Sequence, residues 1–182
     1  CAAAAGRAAW TALLTGVFPD PVEIDLPHGR RPAFALTQEQ LGEGWTMAAV
    51  TKDAGDDPDV TQGAVVRATL RRSEPGSGIV FRAGEGVGAV TRAGLPLAIG
   101  EPAINPVPRR YIAANIAAAD REAGGSGEPD VLVTVSIDDG ETIARRTWNP
   151  RIGILGGLSV LGTTGVVVPY SCAAWIASIH EG

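Results

Sequence analysis

The sequence predicts an α+β domain: a mixed sheet with packed helices. Three observations carry that prediction. Side chains alternate with period two over residues 22–26 and 63–71, the mark of half-buried strands, and residues 131–137 are β-rich. Residues 2–15 and 107–122 place their apolar side chains at helical spacing instead. The elements follow one another as hairpins and crossovers, about seven strands and three helices, and not as a repeating βαβ wind. A chain of 182 residues, 45% hydrophobic and 19% charged, fits one folded domain. Such a domain buries roughly two-thirds of its unfolded surface.

Taken in order, residues 2–15 form a helix because alanine is the strongest helix former. Trp10, Leu13 and Leu14 give it an apolar stripe, and Gly16 is its stop. Val22, Ile24 and Leu26 then alternate with Glu23 and Asp25. Pro27-His28-Gly29 turns this strand back along residues 30–36. That leaves His28 exposed at the hairpin tip, with no catalytic role. Residues 45–51 are a further strand. In residues 63–71, Ala64, Val66, Ala68 and Leu70 line one side of a strand and Arg67, Thr69 and Arg71 the other. A loop covers 73–78, and short strands at 79–82 and 87–91 flank Gly84-Glu85-Gly86. The Pro- and Gly-rich stretch 92–108 leads into the helix at 107–122, which ends at Gly124-Gly125. Residues 131–137 are β-rich, and Asp138-Asp139-Gly140 is expected to turn them into a partner strand over 141–147.

From Ile152 to Ile179 there is no charged side chain. About 20 apolar residues would span a bilayer. Gly153, Gly156, Gly157, Gly162, Gly165 and Pro169 break any continuous helix, and open backbone is not tolerated against lipid. The stretch reads as a buried strand, a Gly-rich loop, a strand at 166–168 and a helix at 171–179 capped by Ser171.

A net charge of -5 argues against nucleic-acid or anionic-membrane partners, which require a basic face. Cys1 and Cys172 form no CxxC, and His28 and His180 are the only histidines. Neither a disulfide framework nor a protein-bound metal is expected. No secretory signal is evident, so the expected location is cytoplasmic. Of the 15 basic residues, Lys52 is the one lysine and the rest are arginines. A GC-rich genome accounts for that bias, yet each guanidinium still presents a planar fork suited to carboxylates.

Lys52 opens the most charged stretch, in which Asp53, Asp56, Asp57 and Asp59 crowd around Gly55 and Pro58. The breakers make it a tight turn. Four like charges this close cost about 1 kcal/mol per near pair unless compensated. Two readings stand: a site, or a solvated turn with Asp56 or Asp57 capping it and Asp59 paired to Lys52 or an arginine. Two Gly-rich stretches imitate nucleotide-binding loops. Gly84-Glu85-Gly86-Val87-Gly88 follows a strand, but strand and loop come after it where a Rossmann site needs a helix. Residues 157–164 match a P-loop frame except that Thr163 replaces the lysine that reaches the phosphates.

Several blocks are distinctive together. They are Cys1-Ala2-Ala3-Ala4, the run Val50-Thr51-Lys52-Asp53-Ala54-Gly55-Asp56-Asp57-Pro58-Asp59-Val60-Thr61, and Phe81-Arg82-Ala83-Gly84-Glu85-Gly86-Val87-Gly88. Gly100-Glu101-Pro102-Ala103-Ile104-Asn105-Pro106-Val107-Pro108-Arg109 and Thr147-Trp148-Asn149-Pro150-Arg151 through Gly162-Thr163-Thr164-Gly165 complete them. Collinear over nearly the whole chain, they resemble the CbiD family, the cobalt-precorrin-5B C-1 methyltransferases of anaerobic cobalamin (vitamin B12) biosynthesis. The resemblance implies transfer of a methyl group from S-adenosylmethionine to C-1 of a cobalt-containing corrinoid precursor. It implies a fold similar to a rearranged ribosomal protein S5 domain 2. Residues 1–182 would then be the N-terminal domain of a longer two-domain protein whose second, α/β domain is absent. A short Gly/Thr-Thr-Gly stretch usual before the position of Cys1 is absent too.

On that resemblance the catalytic candidates are Asp53, Asp56, Asp57 and Asp59, as acceptors of a proton or partners of the sulfonium charge. The substrate's acetate and propionate arms call for Arg82, Arg92, Arg109 and Arg151, with Asn105, Asn149, Thr163 and Thr164 beside them. Gly84, Glu85, Gly86 and Gly88 are the candidates for the methyl donor. Arg67, Arg71 and Arg72 read as a solvated strand face. The alternatives are a Gly-rich nucleotide- or phosphate-binding enzyme domain, or a domain that only assembles. A homo-oligomer stays open.

Overall fold

The computed structural model describes residues 1–26, 29–56 and 58–161. Its elements are α1 (Ala2–Thr15), β1 (Val22–Glu23), β2 (Ala33–Phe34), β3 (Gln38–Gly42), β4 (Trp45–Thr51), β5 (Val65–Arg72), β6 (Ile79–Ala83), β7 (Ala89–Val90), α2 (Pro106–Glu122), β8 (Val131–Ile137), α3 (Gly140–Ala144) and β9 (Ile154–Leu155). Five strands form the main sheet in the order β3-β4-β5-β8-β6, antiparallel except for the β6–β8 pair. The parallel pair requires a crossover, and α2 supplies it. This is the α+β class that the alternation and the helical stretches predict.

One face of the sheet is the core. Val66, Ala68 and Leu70 of β5 lie beside Val131, Val133, Val135 and Ile137 of β8, and all are buried. Helices α1 and α2 cover them. The helices approach closely because α1 is nearly all alanine where it meets α2, and a Cβ on Gly6 would stand 3.3 Å from Ile112 Cγ2. Gly16 ends α1 in the left-handed region at φ 80°, as its position in the sequence predicts. Most polar groups taken into this interface are hydrogen-bonded, and Arg7 Nη1 has only the Asp25 carboxylate at 4.0 Å. Trp10 Nε1 donates to Asp120 Oδ1 at 3.2 Å, the buried Arg7 donates to Glu122 at 2.7 Å, and Thr46 Oγ1 donates to Ala9 O at 2.6 Å.

The predicted hairpin at 22–36 forms, with Val22 opposite Phe34 and further bonds from Ile24 N to Pro32 O and Leu26 N to Arg30 O. Two expectations need correcting. Strand β3 is absent from the sequence reading, since Gln38-Glu39-Gln40 has no apolar alternation. It is an exposed edge strand turned into β4 at Glu43-Gly44, where Gly44 has φ 71°. Second, the expected partner strand at 141–147 does not exist. Both edges of β8 are already taken, by β5 and β6, so a hairpin has nowhere to pair. Asp139 adopts a left-handed turn at φ 54° and the chain enters the short helix α3. The expected strand at 166–168 and helix at 171–179 lie outside the described residues, as do Asp57, Thr163, Thr164 and His28.

Candidate functional site

The register brings the charged and glycine-rich segments to one end of the sheet. Thr51 at the close of β4 pairs Val65 at the start of β5, Val66 pairs Ile137 at the close of β8, and Val135 pairs Ala83 at the close of β6. The acidic turn, the Gly84–Gly86 loop and Asp138-Asp139-Gly140 therefore leave the sheet side by side. Cys1, which opens α1, stands there too, its Sγ 4.0 Å from Thr51 O. Two strand spacings, about 10 Å, separate the roots of the acidic turn and the glycine loop.

Within the turn the aspartates differ. Lys52 Nζ donates to Asp59 Oδ2 and to the Thr61 hydroxyl. Asp59 Oδ1 accepts from Thr61 N and Thr61 Oγ1, both at 2.7 Å. Burial pushes the Asp59 carboxyl up, but the Lys52 hydrogen bond and charge and the Thr61 donors outweigh it and hold it below the usual range. Of the two alternatives for this residue, pairing with Lys52 is the one realised. Asp53 closes a tight turn by accepting from Gly55 N at 2.8 Å. That amide and the Gln62 side chain lower its carboxyl as well. Gln62 also accepts from Ala54 N, and Lys52 N and O are paired to Ala64 O and Gly63 N. Among the described residues Asp56 has no hydrogen-bond or ionic partner and is exposed. So Asp59 is spent on the turn, while Asp53 through its second oxygen and Asp56 face solvent.

The glycine loop is packed against other backbone. A Cβ on Gly86, which has φ 75°, would sit 1.9 Å from Ile137 O. One on Gly140 would sit 2.2 Å from Gly86 O, and one on Gly88 would sit 2.8 Å from Gly157 O. The close approach that the glycines permit is of chain to chain at these faces. Gly88 N donates to Leu158 O, Leu158 N to Gly86 O, Ala103 N to Gly88 O and Val160 N to Ala103 O, so residues 86–88, 102–104 and 157–160 form one knot. Glu85 is exposed on its rim. The loop is followed by β7 and no helix, so it lacks Rossmann geometry, as the sequence predicts.

Two substrate-binding candidates serve this knot. Arg109 donates to Ile104 O at 2.7 Å and Pro102 O at 3.2 Å, pairs Glu101 at 3.5 Å and lies over the Phe81 ring. Asn149 is buried, and its side-chain oxygen accepts from Ser159 Oγ at 3.1 Å. Asn105 starts α2, where its side chain makes no capping bond, and its amide donates to Val160 O. Arg92 packs against Gly153, two residues after Arg151. The Arg92 stem would touch a Cβ there at 2.7 Å, Thr91 N donates to Gly153 O, and Arg151 stacks on Trp148 at 4.6 Å. Both guanidiniums are exposed. Arg82 stands apart on β6, exposed and unpaired among the described residues. The Gly86–Gly140 contact was not foreseen, though Asp138-Asp139-Gly140 is a recognisable turn signal.

Among the described residues no group of three or more His, Cys, Asp or Glu is placed to hold a metal ion, and no helix is long and apolar enough to cross a membrane. What the fold defines is an α+β domain in which the acidic turn and the glycine loop leave one end of the sheet, with no Rossmann helix after the glycines. The sequence model of the CbiD family matches residues 1–169, and the chain belongs to that family. It is 63% identical over all 182 residues to a cobalt-precorrin-5B C(1)-methyltransferase of Paramagnetospirillum magneticum and 61% identical to one of Agrobacterium fabrum. All of this chain aligns, to 50% and 47% of those proteins. It spans about half the length of the curated relatives it matches. A crystal structure of a cobalamin biosynthesis protein (cbiD) from Archaeoglobus fulgidus superposes with a TM-score of 0.66 at 28% identity, covering 99% of this chain and 56% of that one.

Proposed function

We propose that this chain is part of an S-adenosylmethionine-dependent methyltransferase acting at C-1 of cobalt-precorrin-5B in anaerobic cobalamin biosynthesis. The observation that carries the proposal is likeness along every residue of the chain, at 61–63% identity, to proteins named for that activity. Residues 1–182 would be the N-terminal domain of the longer protein, in the cytoplasm.

The residues available at the sheet end fit the chemistry. S-Adenosylmethionine brings a sulfonium cation, an ammonium and ribose hydroxyls, and supplies the electrophilic methyl group. Asp53, Asp56 and Glu85 offer carboxylates to such groups, from the acidic turn and the glycine-loop rim. The substrate's carboxylate arms suit the exposed guanidiniums of Arg82, Arg92 and Arg151. Arg109 and Asn149 act at one remove by fixing the loops that carry these groups. Much of the rate enhancement in methyl transfer comes from holding donor and acceptor in line. The close backbone packing at Gly86, Gly88 and Gly140 supports the reading that these loops hold their groups in fixed positions.

The test is to incubate the full-length protein with cobalt-precorrin-5B and methyl-labelled S-adenosylmethionine and locate the label by NMR. Label at C-1 is expected, and a product without it contradicts the proposal.

A further inference from the structure

The sheet has a second face, opposite α1 and α2, and no described element packs across it. The register fixes what it carries. One row is Gln40, Met47, Thr69, Thr134 and Arg82, and a second is Trp45, Arg71, Leu132 and Val80. A third is Gln38, Ala49, Arg67 and Ser136. Arg72 points to the other side, over the Trp10 ring at 5.6 Å. Among the described residues the face thus carries three arginines and, beside Ser136, one acid, Asp138, which is paired with Arg67. It is a cationic surface on a chain of net charge -5. Between Trp45, Met47, Arg67 and Arg71 it sinks into a shallow depression of about 380 Å³.

Its geometry suits one kind of ligand. Strand spacing and rise put the roots of Arg67, Arg71 and Arg82 at the corners of a triangle with sides of about 12–14 Å. That is too wide for one carboxylate or phosphate, but comparable with the span of a tetrapyrrole ring and its acidic arms. The floor between the corners is made by the short side chains of Thr69, Thr134 and Ser136. Trp45 and Leu132 supply apolar area at one side. Arg67 is preset by Asp138 and by Gln38, which accepts from Arg67 Nε at 3.0 Å. Arg71 lies 5.7 Å from the Trp45 ring centroid, and Arg82 is unpaired among the described residues. The Gly84 loop borders this floor, since a Cβ there would meet Ser136 Oγ at 2.1 Å.

We propose that the open face of the sheet, with Arg71 and Arg82 as carboxylate clamps over a floor of Thr69 and Thr134, receives the polycarboxylate macrocycle on which the enzyme acts. The inference rests on the corrinoid reading above. It extends that reading by placing the ring on the sheet face beside the glycine loop, and by giving Arg71 a binding role.

The test titrates the full-length protein with two probes: a cobalt corrin bearing free carboxylates, and the same ring with its carboxylates amidated. Dissociation constants are read from the corrin absorbance. Wild type is compared with Arg71→Gln, Arg82→Gln and the double variant, all on exposed side chains, with melting curves to confirm folding. Each single variant is expected to weaken the carboxylate corrin about tenfold and the double variant about a hundredfold, with the amidated ring bound weakly and equally by all four. If the double variant binds the carboxylate corrin like wild type, this inference falls while the corrinoid reading stands. If wild type binds neither ring, both fall. If the variants lose only self-association in sedimentation, the face belongs to a second copy of the chain and the inference is overturned.

Discussion

Removing the Asp59 carboxylate tests whether the acidic turn is built around it. In Asp59→Ala, Lys52 loses its ionic partner and the Thr61 amide loses its acceptor, while the ammonium side chain is only 25% exposed. Hydrogen bonds to a charged group contribute about 1.5–3 kcal/mol, so a loss of about 2 kcal/mol is expected. For a chain of this size that lowers Tm by about 4–8 °C. Asp56→Ala removes a side chain with no partner among the described residues and should stay within about 0.5 kcal/mol of wild type. The pH dependence has a fixed sign. Because the folded Asp59 carboxyl is held below its ordinary value, its stabilisation is present above about pH 4 and is lost as pH falls through the folded value. The gap between wild type and Asp59→Ala, measured by urea unfolding, should therefore be full at pH 7 and close in acid. Equal stability of Asp59→Ala and Asp56→Ala at pH 7 would refute the argument.

Further outcomes follow from the packing and the site. Gly86→Ala combines a positive φ with a Cβ 1.9 Å from Ile137 O and should cost at least ~3 kcal/mol by denaturant unfolding. Gly76→Ala, at φ 82° in open space, should cost only about 1 kcal/mol. Leu70→Ala empties a fully buried position under α1 and should cost about 2–5 kcal/mol in the same assay. Arg92→Gln and Arg151→Gln should raise the KM for the corrinoid several-fold with kcat little changed, as expected for clamps that hold the substrate equally before and during the reaction.

Much of this fold is legible in the sequence because its core strands have one wet and one dry side. The alternation at Val66, Ala68 and Leu70 against Arg67, Thr69 and Arg71 predicts both the strand and the two faces of the sheet. The alanines of α1 predict the helix, and Gly16 marks its end. Strand β3 escapes notice because an edge strand exposed on both sides has no apolar pattern to show. The helix at Gly140–Ala144 escapes because pairing is decided by which neighbours already hold β8, a fact carried by β5 and β6 and not by residues 138–147. At the site, the Lys52–Asp59 pair is foreseeable as one of two local options. The engagement of Arg109 with loop backbone and of Asn149 with the Ser159 hydroxyl is not, since both look from sequence like free ligand-binding groups. The open face has the opposite history. Arg71 reads as solvated until the register sets it on one surface with Arg82, contributed by a strand on the far side of β8.

The central claim is that the chain serves methyl transfer to the corrinoid ring. Its most direct measurement is the position of the label after one turnover of the full-length protein with cobalt-precorrin-5B and methyl-labelled S-adenosylmethionine. Label at C-1 is the predicted result. Product labelled at another carbon, or substrate recovered without label, would contradict it.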